Sequence, residues 1–410
     1  MKPTALPWIA AASALFAVVI VRAESRPRYG GTLRVEMNAA LNNLDPAEIP
    51  SDPAALEAKA RLAPAVFETL VRLDESGKPQ PWLATSWTHD VARKKWVFTA
   101  RPHVRLHNGM IWMPTASSLE IPDDRPIEQI LSELARPWNA IVVREPDGTL
   151  TGTGPFRVAK WEAGKAGTLV ANEAHWKGRP YLDSVEIQMG RDLRDQTQDL
   201  QLGRADITDA PIGTSDETRM DETLALIFDT ARSTPAVREA LALSIDKVVI
   251  RRVLLKGHGD ISGALLPQWL SGYSFLFDGK RDVTRARQLA TGAPPLTFTY
   301  DRQDAVLRSI GERISVNAME AGITMRQTNG MAEVRLVMIP VTSRDELSAL
   351  ADIAAVLKAP FSFASAPYEA ERALLDGFHV VPLFHLARNW GLAPRVRSWP
   401  DLPNVWIGQP

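Results

Sequence analysis

Two pairs of histidines have spacings that raise the possibility of a metal site. His103 and His107 are four residues apart, as are two zinc ligands on one helix. The residues from Arg101 to His107 alternate as in a strand, however, and four residues of strand span roughly 13 Å, too far for both rings to share an ion. His379 and His385, six positions apart in another strand-like segment, meet the same objection. We therefore expect no metal site and no cofactor.

One serine and one lysine have the spacing found in enzymes that form an acyl-serine. Ser244 and Lys247 match the S-x-x-K pattern, in which a lysine one helical turn away accepts the serine proton. The companion S-D-N and K-T-G sequences are absent, and apolar residues recur around the pair at the spacing of a core helix. The favoured interpretation is a core helix with Lys247 in solvent and no catalytic residue. A serine hydrolase remains a third hypothesis, which a fluorophosphonate or β-lactam probe would test.

A glycine-rich segment, GTGPF at 152–156, invites comparison with phosphate-binding loops. It lacks a lysine that could reach a nucleotide phosphate, and Pro155 removes one backbone N–H from the loop. The segment therefore predicts a tight turn before a strand.

Large aromatic side chains in and around glycine- and proline-containing loops could line a pocket, because their rings are amphipathic. They are Trp112, Trp138, Trp269, Tyr273 and Trp390. Acidic and basic residues are spread along the chain without an obvious general acid and general base. A binding function is therefore the default expectation.

The composition excludes several classes of protein. The chain has 410 residues, 45% hydrophobic and 23% charged, which is typical of globular proteins with two or three domains and room for a cleft. Lys and Arg number 47 and Asp and Glu 48, a net charge of −1, and no run of like charges indicates a nucleic-acid surface. The absence of cysteine excludes disulfides, thiolate metal sites and a lipid anchor on an N-terminal cysteine.

Residues 1–23 have the features of a secretory signal peptide. Lys2 precedes sixteen mostly apolar residues from Leu6 to Val21, and small residues stand where a signal peptidase cleaves. We expect cleavage after Ala23 and export to a periplasm. A retained membrane anchor is the alternative, because sixteen residues approach the length of a spanning helix. No other stretch is long and apolar enough, so no membrane insertion is expected after cleavage.

From Gly30 onward, short β-rich runs alternate with longer helical patterns, which predicts a mixed α/β architecture. Strands are predicted over 32–37, 95–100, 156–161, 184–189, 296–300, 323–327, 335–340 and 379–386. Helices are predicted over 53–67, 193–202, 235–255, 305–321, 344–357 and 366–375.

Short motifs follow one another in order along nearly the whole chain. They include GGTLRV at 30–35, LDP at 44–46, GKPQPWLATSW at 77–87, RLHNG at 105–109, NEAHWKGRPYLD at 172–183, VREALALSID at 237–246 and VVPLF at 380–384. In this order they resemble the family 5 extracellular solute-binding proteins, which are the peptide, opine and nickel receptors of ABC importers.

The resemblance implies a two-lobed, periplasmic-binding-protein-like α/β fold of type II, in the peptide-receptor group. The first lobe would span 24–220, with its main part at 24–109 and 152–220 and a shortened insertion at 110–151. The second lobe would span 221–385, and residues 386–410 would return to the first lobe. Because the family carries a considerably longer segment between positions 109 and 152, we expect a reduced peripheral lobe.

The resemblance also implies a function. The protein would be a periplasmic receptor of an ABC importer for oligopeptides or related small solutes, closing its lobes on the ligand so that the membrane permease can recognise the closed form. We expect no enzymatic activity and no nucleic-acid partner. The residues expected to contact the ligand are Asn42, Asn43, Trp112, Trp269, Tyr273 and Trp390.

Two departures from the family pattern support a second hypothesis. TASS at 115–118 stands where T-A-E-D is usual, and residues 341–367 lack the tyrosine- and aspartate-bearing loop that lies near the ligand in peptide-binding members. Together with the shortened insertion, they favour as the alternative a degenerate periplasmic interaction or scaffold protein that no longer binds peptide.

Overall fold

The computed structural model describes residues 26–114, 117–210, 220–277 and 279–408. The predicted signal peptide and its cleavage site after Ala23 lie outside the described residues. The helices are α1 Pro53–Leu62, α2 Ile127–Leu134, α3 Leu193–Gln201, α4 Pro235–Ser244, α5 Lys247–Val249, α6 Gln268–Ser271, α7 Val283–Leu289, α8 Ala305–Glu320, α9 Glu346–Leu357 and α10 Pro367–Leu375. The strands are β1 Thr32–Glu36, β2 Val71–Leu73, β3 Pro79–Pro81, β4 Ala84–Asp90, β5 Lys95–Ala100, β6 Ser118–Ile121, β7 Val143–Arg144, β8 Leu150–Thr151, β9 Phe156–Glu162, β10 Ala166–Ala171, β11 Ser184–Gln188, β12 Ile207–Thr208, β13 Met220–Phe228, β14 Asp260–Ile261, β15 Leu296–Thr299, β16 Met325–Gln327, β17 Val334–Pro340, β18 Val380–Ala387, β19 Gly391–Leu392, β20 Val396–Arg397 and β21 Trp406–Ile407.

The first lobe is built on a six-stranded sheet with the order β19-β12-β1-β11-β10-β9. Strand β1 pairs in parallel with β11 and β12, while the remaining pairs are antiparallel. Leu33 lies beside Val185, and Val35 lies beside Ile187 and Ile207. These aliphatic side chains are buried and form the core of the lobe together with the end of α1. Strand β19 comes from the far C-terminal part of the chain, so the chain returns to the first lobe at its end.

The second lobe is built on another six-stranded sheet, with the order β14-β18-β13-β17-β15-β16. Its strand β13 lies between β17 and β18 and contributes side chains to two cores. On one face, Leu224, Leu226 and Phe228 pack with α4, α7 and α8. On the other face, Ala225 and Ile227 pack with α9 and α10. A strand buried on both faces is a continuous apolar run, which periodicity cannot distinguish from a helix. For this reason β13 is missing from the predicted strands.

A smaller body beside the first lobe combines the three-stranded antiparallel sheet β4-β5-β6 with helix α2. It has its own core, in which Phe98, Trp112 and Ile130 are buried. The described part of the insertion at 110–151 contributes one edge strand, the helix α2 and the short hairpin of β7 and β8.

The predicted starts of all six helices lie within two residues of those in the structure, because the starting signals are local. Asp52, Thr234 and Asp304 cap α1, α4 and α8, each accepting a hydrogen bond from a backbone N–H of the first turn. The ends of two helices differ from the prediction. The single helix predicted over 235–255 is broken at Ile245, whose backbone is extended, and the helix predicted over 53–67 gives way to a 3₁₀ turn after Leu62.

The serine and lysine of the S-x-x-K pattern both bind backbone carbonyls. Ser244 Oγ donates to the carbonyl of Leu241 at 2.8 Å, and Lys247 Nζ donates to the carbonyls of Ser262 and Pro382 at 2.8 Å each. Lys247 is 6% exposed, so its predicted position in solvent is wrong. The chain break after α4 directs the ammonium group towards the second sheet, where strand and loop carbonyls replace water.

The predicted strand at 101–107 is also wrong, because Pro102 and the left-handed backbone of His103, with φ of 60°, make a turn there. His107 Nε2 donates to the carbonyl of Gly154 at 3.0 Å, and His385 Nε2 donates to that of Ala264 at 3.0 Å. Within the described ranges, no group of three histidine or acidic side chains is arranged to hold a metal ion.

The two glycines of the segment 152–156 allow its backbone to lie directly against the backbone of residues 65 and 66. A Cβ atom would lie 2.2 Å from the Val66 carbonyl oxygen at Gly152 and 2.5 Å from the Ala65 carbonyl oxygen at Gly154. Gly154 N–H donates to the Val66 carbonyl at 3.0 Å, which ties the segment just after the insertion to the chain that follows α1.

In the part of the chain that the structure describes, no helix has the length and hydropathy needed to cross a bilayer.

Candidate ligand-binding cleft

A cleft of about 780 Å³ lies between the two lobes. One wall is helix α1 of the first lobe, and the opposite wall is formed by strand β17 and the end of β18 in the second lobe. The chain leaving β18 carries Arg388 and Trp390 across the floor of the cleft before it joins the first sheet at β19. The cleft is therefore lined by both lobes and by the segment that connects them.

Arg388 joins carboxylates from both lobes. Its Nε lies 3.3 Å from Glu57 Oε1 of α1, and its Nη2 donates to Asp209 Oδ1, just after β12, at 3.0 Å. Its Nη1 donates to Glu222 Oε1 of β13 in the second lobe at 3.3 Å. Each of these carboxylates is largely buried, so the guanidinium replaces much of the hydration that they lose.

A second guanidinium and two indoles complete this side of the cleft. Arg61 follows Glu57 by one helical turn and donates to its Oε1 at 2.8 Å. The guanidinium carbon of Arg61 lies 4.0 Å from the ring centroid of Trp390, and that of Arg388 lies 4.3 Å from the same ring. Trp399 packs edge-on against Trp390, with centroids 5.5 Å apart. The indole of Trp390 thus holds two cations beside the carboxylates.

This cluster contains three carboxylates and two guanidiniums, so it has a surplus of negative charge. Burial, together with the neighbouring Glu57 and Asp209, raises the pKa of Glu222 to about 7 against the opposing charge of Arg388. Burial also raises the pKa of Asp209. Burial lowers the pKa of Arg61, whereas the surrounding carboxylates outweigh burial at Arg388 and raise its pKa. Glu222 is therefore partly protonated near neutral pH.

The second lobe adds further charges to the cleft. Asp301 and Asp304 line it at the start of α8, and Arg335 lines it from β17. Asp304 also accepts hydrogen bonds from the backbone N–H groups of Val306 and Leu307. With these residues included, acidic side chains still outnumber basic ones in the cleft.

Of the residues predicted to contact a ligand, Trp390 lines the cleft. Asn42 and Asn43 lie beside it but do not line it: the Asn42 carbonyl accepts a hydrogen bond from Trp161 Nε1 at 2.9 Å, and Asn43 Nδ2 donates to Glu48 at 2.7 Å. Asn43 Oδ1 also accepts from Lys59, so this side chain serves the packing of the loop on α1.

The other three predicted residues lie elsewhere. Trp112 is buried in the core of the β4-β5-β6 body, where it packs with neighbouring apolar side chains. Trp269 Nε1 donates to the Met220 carbonyl at 2.7 Å, and Tyr273 donates to Glu346 Oε2 at 3.2 Å. The structure therefore does not bring these aromatic residues together with Trp390.

The charged residues of the cleft were missed because they come from distant parts of the chain. Glu57 and Arg61 carry a usable signal in the sequence, since they stand four residues apart on a predicted helix. Glu222 carries a weaker signal, as a carboxylate at the head of an apolar run. Only the fold brings these side chains within reach of Arg388.

The model for a family described as "Bacterial extracellular solute-binding proteins, family 5 Middle" matches residues 124–328, which is half of the chain. The chain belongs to this family. Its members are transport binding proteins that are periplasmic or extracellular. The resemblance found in the sequence motifs is thereby confirmed.

Parts of the chain are similar to known relatives. It is 29% identical over 181 residues to the uncharacterized protein YhjP of Bacillus subtilis, covering 36% of this chain and 30% of that protein. It is 23% identical over 224 residues to the peptide transport periplasmic protein SapA of Salmonella typhimurium, covering 49% and 39%. It is 24% identical over 243 residues to the nickel-binding periplasmic protein of Escherichia coli, covering 44% and 46%. The chain therefore spans less than half the length of these relatives.

Solved structures match over nearly the whole chain. The oligopeptide-binding protein AppA from Bacillus subtilis, in complex with a nonapeptide, has a TM-score of 0.73 at 13% identity and covers 94% of this chain and 100% of its own. The murein tripeptide binding protein MppA from Escherichia coli has a TM-score of 0.73 at 14% identity, covering 92% and 99%. At such identities the likeness shows the fold, and it confirms the predicted two-lobed α/β architecture.

Proposed function

We propose that this protein is the periplasmic solute-binding receptor of an ABC importer, for oligopeptides or related small solutes. The observation that carries the proposal is the cleft of about 780 Å³ between the lobes, because a solute held there contacts both lobes at once. A volume of this order is typical of small-molecule sites. The names of SapA, AppA and MppA associate these family members with peptides, which supports the choice of solute.

The charges of the cleft favour a solute with a cationic group, such as the amino group of a peptide. Glu57, Asp209 and Glu222 are only partly neutralised by Arg61 and Arg388. Because Glu222 holds a proton near pH 7 in place of a further cation, an ammonium group of a ligand would displace that proton. Binding would then release protons at neutral pH.

Ligand binding would favour the closed arrangement of the lobes. A solute that contacts α1 on one side and β17 on the other makes both sets of contacts only when the lobes are together, and it shifts the population by that difference in affinity. The membrane permease of the importer would recognise the closed form.

We assign the first lobe to 24–220, including the insertion, the second to 221–385, and 386–410 to the first lobe again.

Localisation and chemistry follow from the same proposal. Residues 1–23 would direct export and be cleaved after Ala23, leaving a periplasmic protein. The receptor would act without a cofactor and without catalysing a reaction. Ser244, the nucleophile that the S-x-x-K pattern would require, is fully buried and donates to a carbonyl, which argues against a serine hydrolase.

Native mass spectrometry of the mature protein, purified gently from a periplasm, tests the proposal. We expect a heterogeneous added mass of peptide size that is lost after mild unfolding and refolding, and that returns when a mixture of short peptides is added. In the matched pair Glu222→Gln and Glu312→Gln, the first removes a carboxylate of the cleft and the second an exposed one on α8. We expect affinity for peptides to fall about tenfold in the first only. A bare mass under every condition, unchanged by peptides, would reject the receptor function.

One observation favours the alternative, an interaction or scaffold protein on the same fold. The insertion is fastened to the second lobe through a buried ion pair between Arg136 and Asp352, and Trp138 of the insertion packs in a core cluster of that lobe. Contacts of this kind hold the lobes together without a ligand. Small-angle scattering separates the two functions: a radius of gyration that decreases on addition of peptides supports the receptor, and an unchanged radius with no bound peptide supports the scaffold.

A further inference from the structure

A second cavity, of about 450 Å³, lies on the first lobe and shares Arg61 of its lining with the cleft. Its walls are the chain that follows α1, the segment 175–181 and the segment 400–404, with two residues of the insertion at one side. None of its lining residues in the described ranges belongs to the second lobe, so the cavity does not depend on how far the lobes are closed. Phe67, Trp82, Tyr181 and several prolines make much of its surface apolar or aromatic.

The positively charged side chains of Arg72 and Lys177 both lie close to the indole ring of Trp82, which lines this cavity. The guanidinium carbon of Arg72 lies 3.9 Å from the ring centroid of Trp82, and Lys177 Nζ lies 4.4 Å from the same centroid. The two charges are therefore at most about 8.3 Å apart. In the described residues, no carboxylate oxygen lies within 4.0 Å of the guanidinium nitrogens of Arg72 or of Lys177 Nζ, so neither side chain forms an ion pair. Both side chains are exposed, so water screens part of their repulsion, and a bound anion would lower what remains.

The carboxylates that line the cavity are engaged elsewhere. Glu68 is buried and accepts hydrogen bonds from Trp82 Nε1 at 2.8 Å, Trp176 Nε1 at 3.0 Å and Thr153 Oγ1 at 2.8 Å, with His175 Nε2 at 3.2 Å. These contacts orient the indoles, and Glu68 also attracts Lys177 at longer range without forming an ion pair with it.

The remaining charges around the cavity leave the same surplus. Asp401 accepts from Asn404 Nδ2 at 2.7 Å. The other two cations of the lining are already paired, Arg61 with Glu57 of α1 and Arg179 with Glu173 and Asp183. Burial and then the charges of Arg72 and Arg101 lower the pKa of Lys177, while Glu68 and Asp401 oppose the fall.

We propose that this cavity is an anion site that binds the carboxylate or phosphate group of a small solute through Arg72 and Lys177. The guanidinium can donate two parallel hydrogen bonds to such an oxyanion, and the ammonium adds a point charge. The apolar remainder of the solute would rest against Phe67 and the prolines. The site is separate from the proposed peptide cleft, because its two cations lie outside the cleft lining.

The test uses the indole N–H signals of the ¹⁵N-labelled mature protein in a titration with phenyl phosphate, benzoate and inorganic phosphate. The Trp82 signal is assigned with Trp82→Phe. We expect a saturable shift of the Trp82 signal with at least one of these anions, and no shift of Trp390 in the cleft at the same concentrations. Arg72→Gln and Lys177→Gln should each weaken binding at least about tenfold. The control variants Arg194→Gln and Lys78→Gln remove exposed cations that lie outside the cavity, and they should bind as the wild type does.

Three outcomes would overturn the proposal. The first is no saturable shift of Trp82 up to about 10 mM of each anion. The second is equal weakening by the control variants, which would show non-specific attraction to a positive surface. The third is binding only to vesicles that contain phosphatidylglycerol, which would assign Arg72 and Lys177 to contact with lipid headgroups. Each of these results is independent of peptide binding, which is measured at the cleft.

Discussion

Among the described residues, two contacts between the lobes are built on a buried charge with partners on both sides. In the cleft the shared charge is the cation of Arg388, which contacts Glu57 and Asp209 of the first lobe and Glu222 of the second. At the insertion the shared charge is the anion of Asp352, on α9 of the second lobe, which accepts hydrogen bonds from the insertion.

The partners of Asp352 match its capacity. Its Oδ1 accepts from Arg136 Nη2 and from Trp138 Nε1, the latter at 2.7 Å, and its Oδ2 accepts from the Thr342 hydroxyl. The carboxylate is 2% exposed, and one guanidinium balances its charge. We call this the insertion contact. Its carboxylate is buried and its charge is balanced, so it offers a ligand neither space nor an unpaired charge.

The cleft differs from the insertion contact in both respects, since it is open and carries more carboxylates than guanidiniums. Its surplus charge can be met by a proton on Glu222 or by a cationic ligand. A buried charge whose partners are complete holds the structure together, whereas one whose partners are incomplete responds to pH and to solutes. The following predictions separate these two roles.

The largest effect is expected at the insertion contact. Asp352→Ala leaves the guanidinium of Arg136 and the Trp138 N–H buried without their acceptor, so the free energy of unfolding should fall by about 3–5 kcal/mol. Urea unfolding of the mature protein measures it. Glu312→Ala is the matched control, because it also replaces an acid inside a helix but at an exposed position. A loss below about 1 kcal/mol in Asp352→Ala would contradict a structural role for this contact.

The second prediction concerns the pH dependence that Glu222 gives to the cleft. Its pKa is about 7 in the folded protein and 4.5 for an unperturbed glutamate, so between these values the folded state binds more protons than the unfolded state. The contribution of Glu222 to stability is therefore complete below about pH 4.5 and is lost as the pH rises to about 7. Glu222→Gln keeps the neutral form, and it should be more stable than the wild type by up to about 3 kcal/mol above pH 7.

The difference in stability between the two proteins isolates the Glu222 cluster, because titratable groups distant from the cluster contribute equally in both. Burial raises the pKa of Glu371 to about 7 and lowers that of His385 to about 4, and both groups remain in the variant. Urea unfolding at a series of pH values supplies the comparison. A stability difference that stays constant with pH would remove Glu222 as a titrating group of the cleft.

The third prediction removes the shared cation. Arg388→Met leaves Glu57, Asp209 and Glu222 together without their common partner, and the free energy of unfolding should fall by about 2 kcal/mol. The loss is smaller than at Asp352 because Glu222 can take up a proton, and it should be larger above pH 7 than below pH 4.5. Arg388→Lys keeps a charge and should lose less. Equal losses in both variants would show that packing of the side chain, not its charge, matters.

The elements of the fold were largely predictable because their signals are local. Asp52 and Thr234 precede Pro53 and Pro235, and such a cap followed by proline marks a helix start in the sequence itself. The eight strands predicted from Gly30 onward occur with ends within two residues, whereas the strand-like alternation at 101–107 does not form a strand. Strand β13 was missed for a physical reason, since it is apolar on both faces and has no period to detect.

The cleft was predictable only where a residue carried its own signal. Trp390 stands beside the glycine that begins β19, so its ring was recognised as a candidate to line a pocket. Arg388, two residues earlier, has an ordinary sequence context, and its three carboxylates are separated from it by more than 160 residues in each case. The identity of such a cluster depends on the pairing of β12 with β19 and of β13 with β18, which no local pattern contains.

The smallest expected effect tests whether the ligand binds in the cleft or beside the predicted aromatic residues that lie outside it. Trp390→Ala removes the ring on which Arg61 and Arg388 stack, so both guanidiniums lose a fixed position and peptide affinity should fall about fivefold. Trp269→Ala removes an indole outside the cleft lining, and it should leave affinity unchanged. Calorimetric titration with a peptide identified by mass spectrometry measures both variants. If Trp269→Ala weakens binding and Trp390→Ala does not, the ligand binds beside α6, and the charged cleft around Arg388 holds the lobes together rather than a solute.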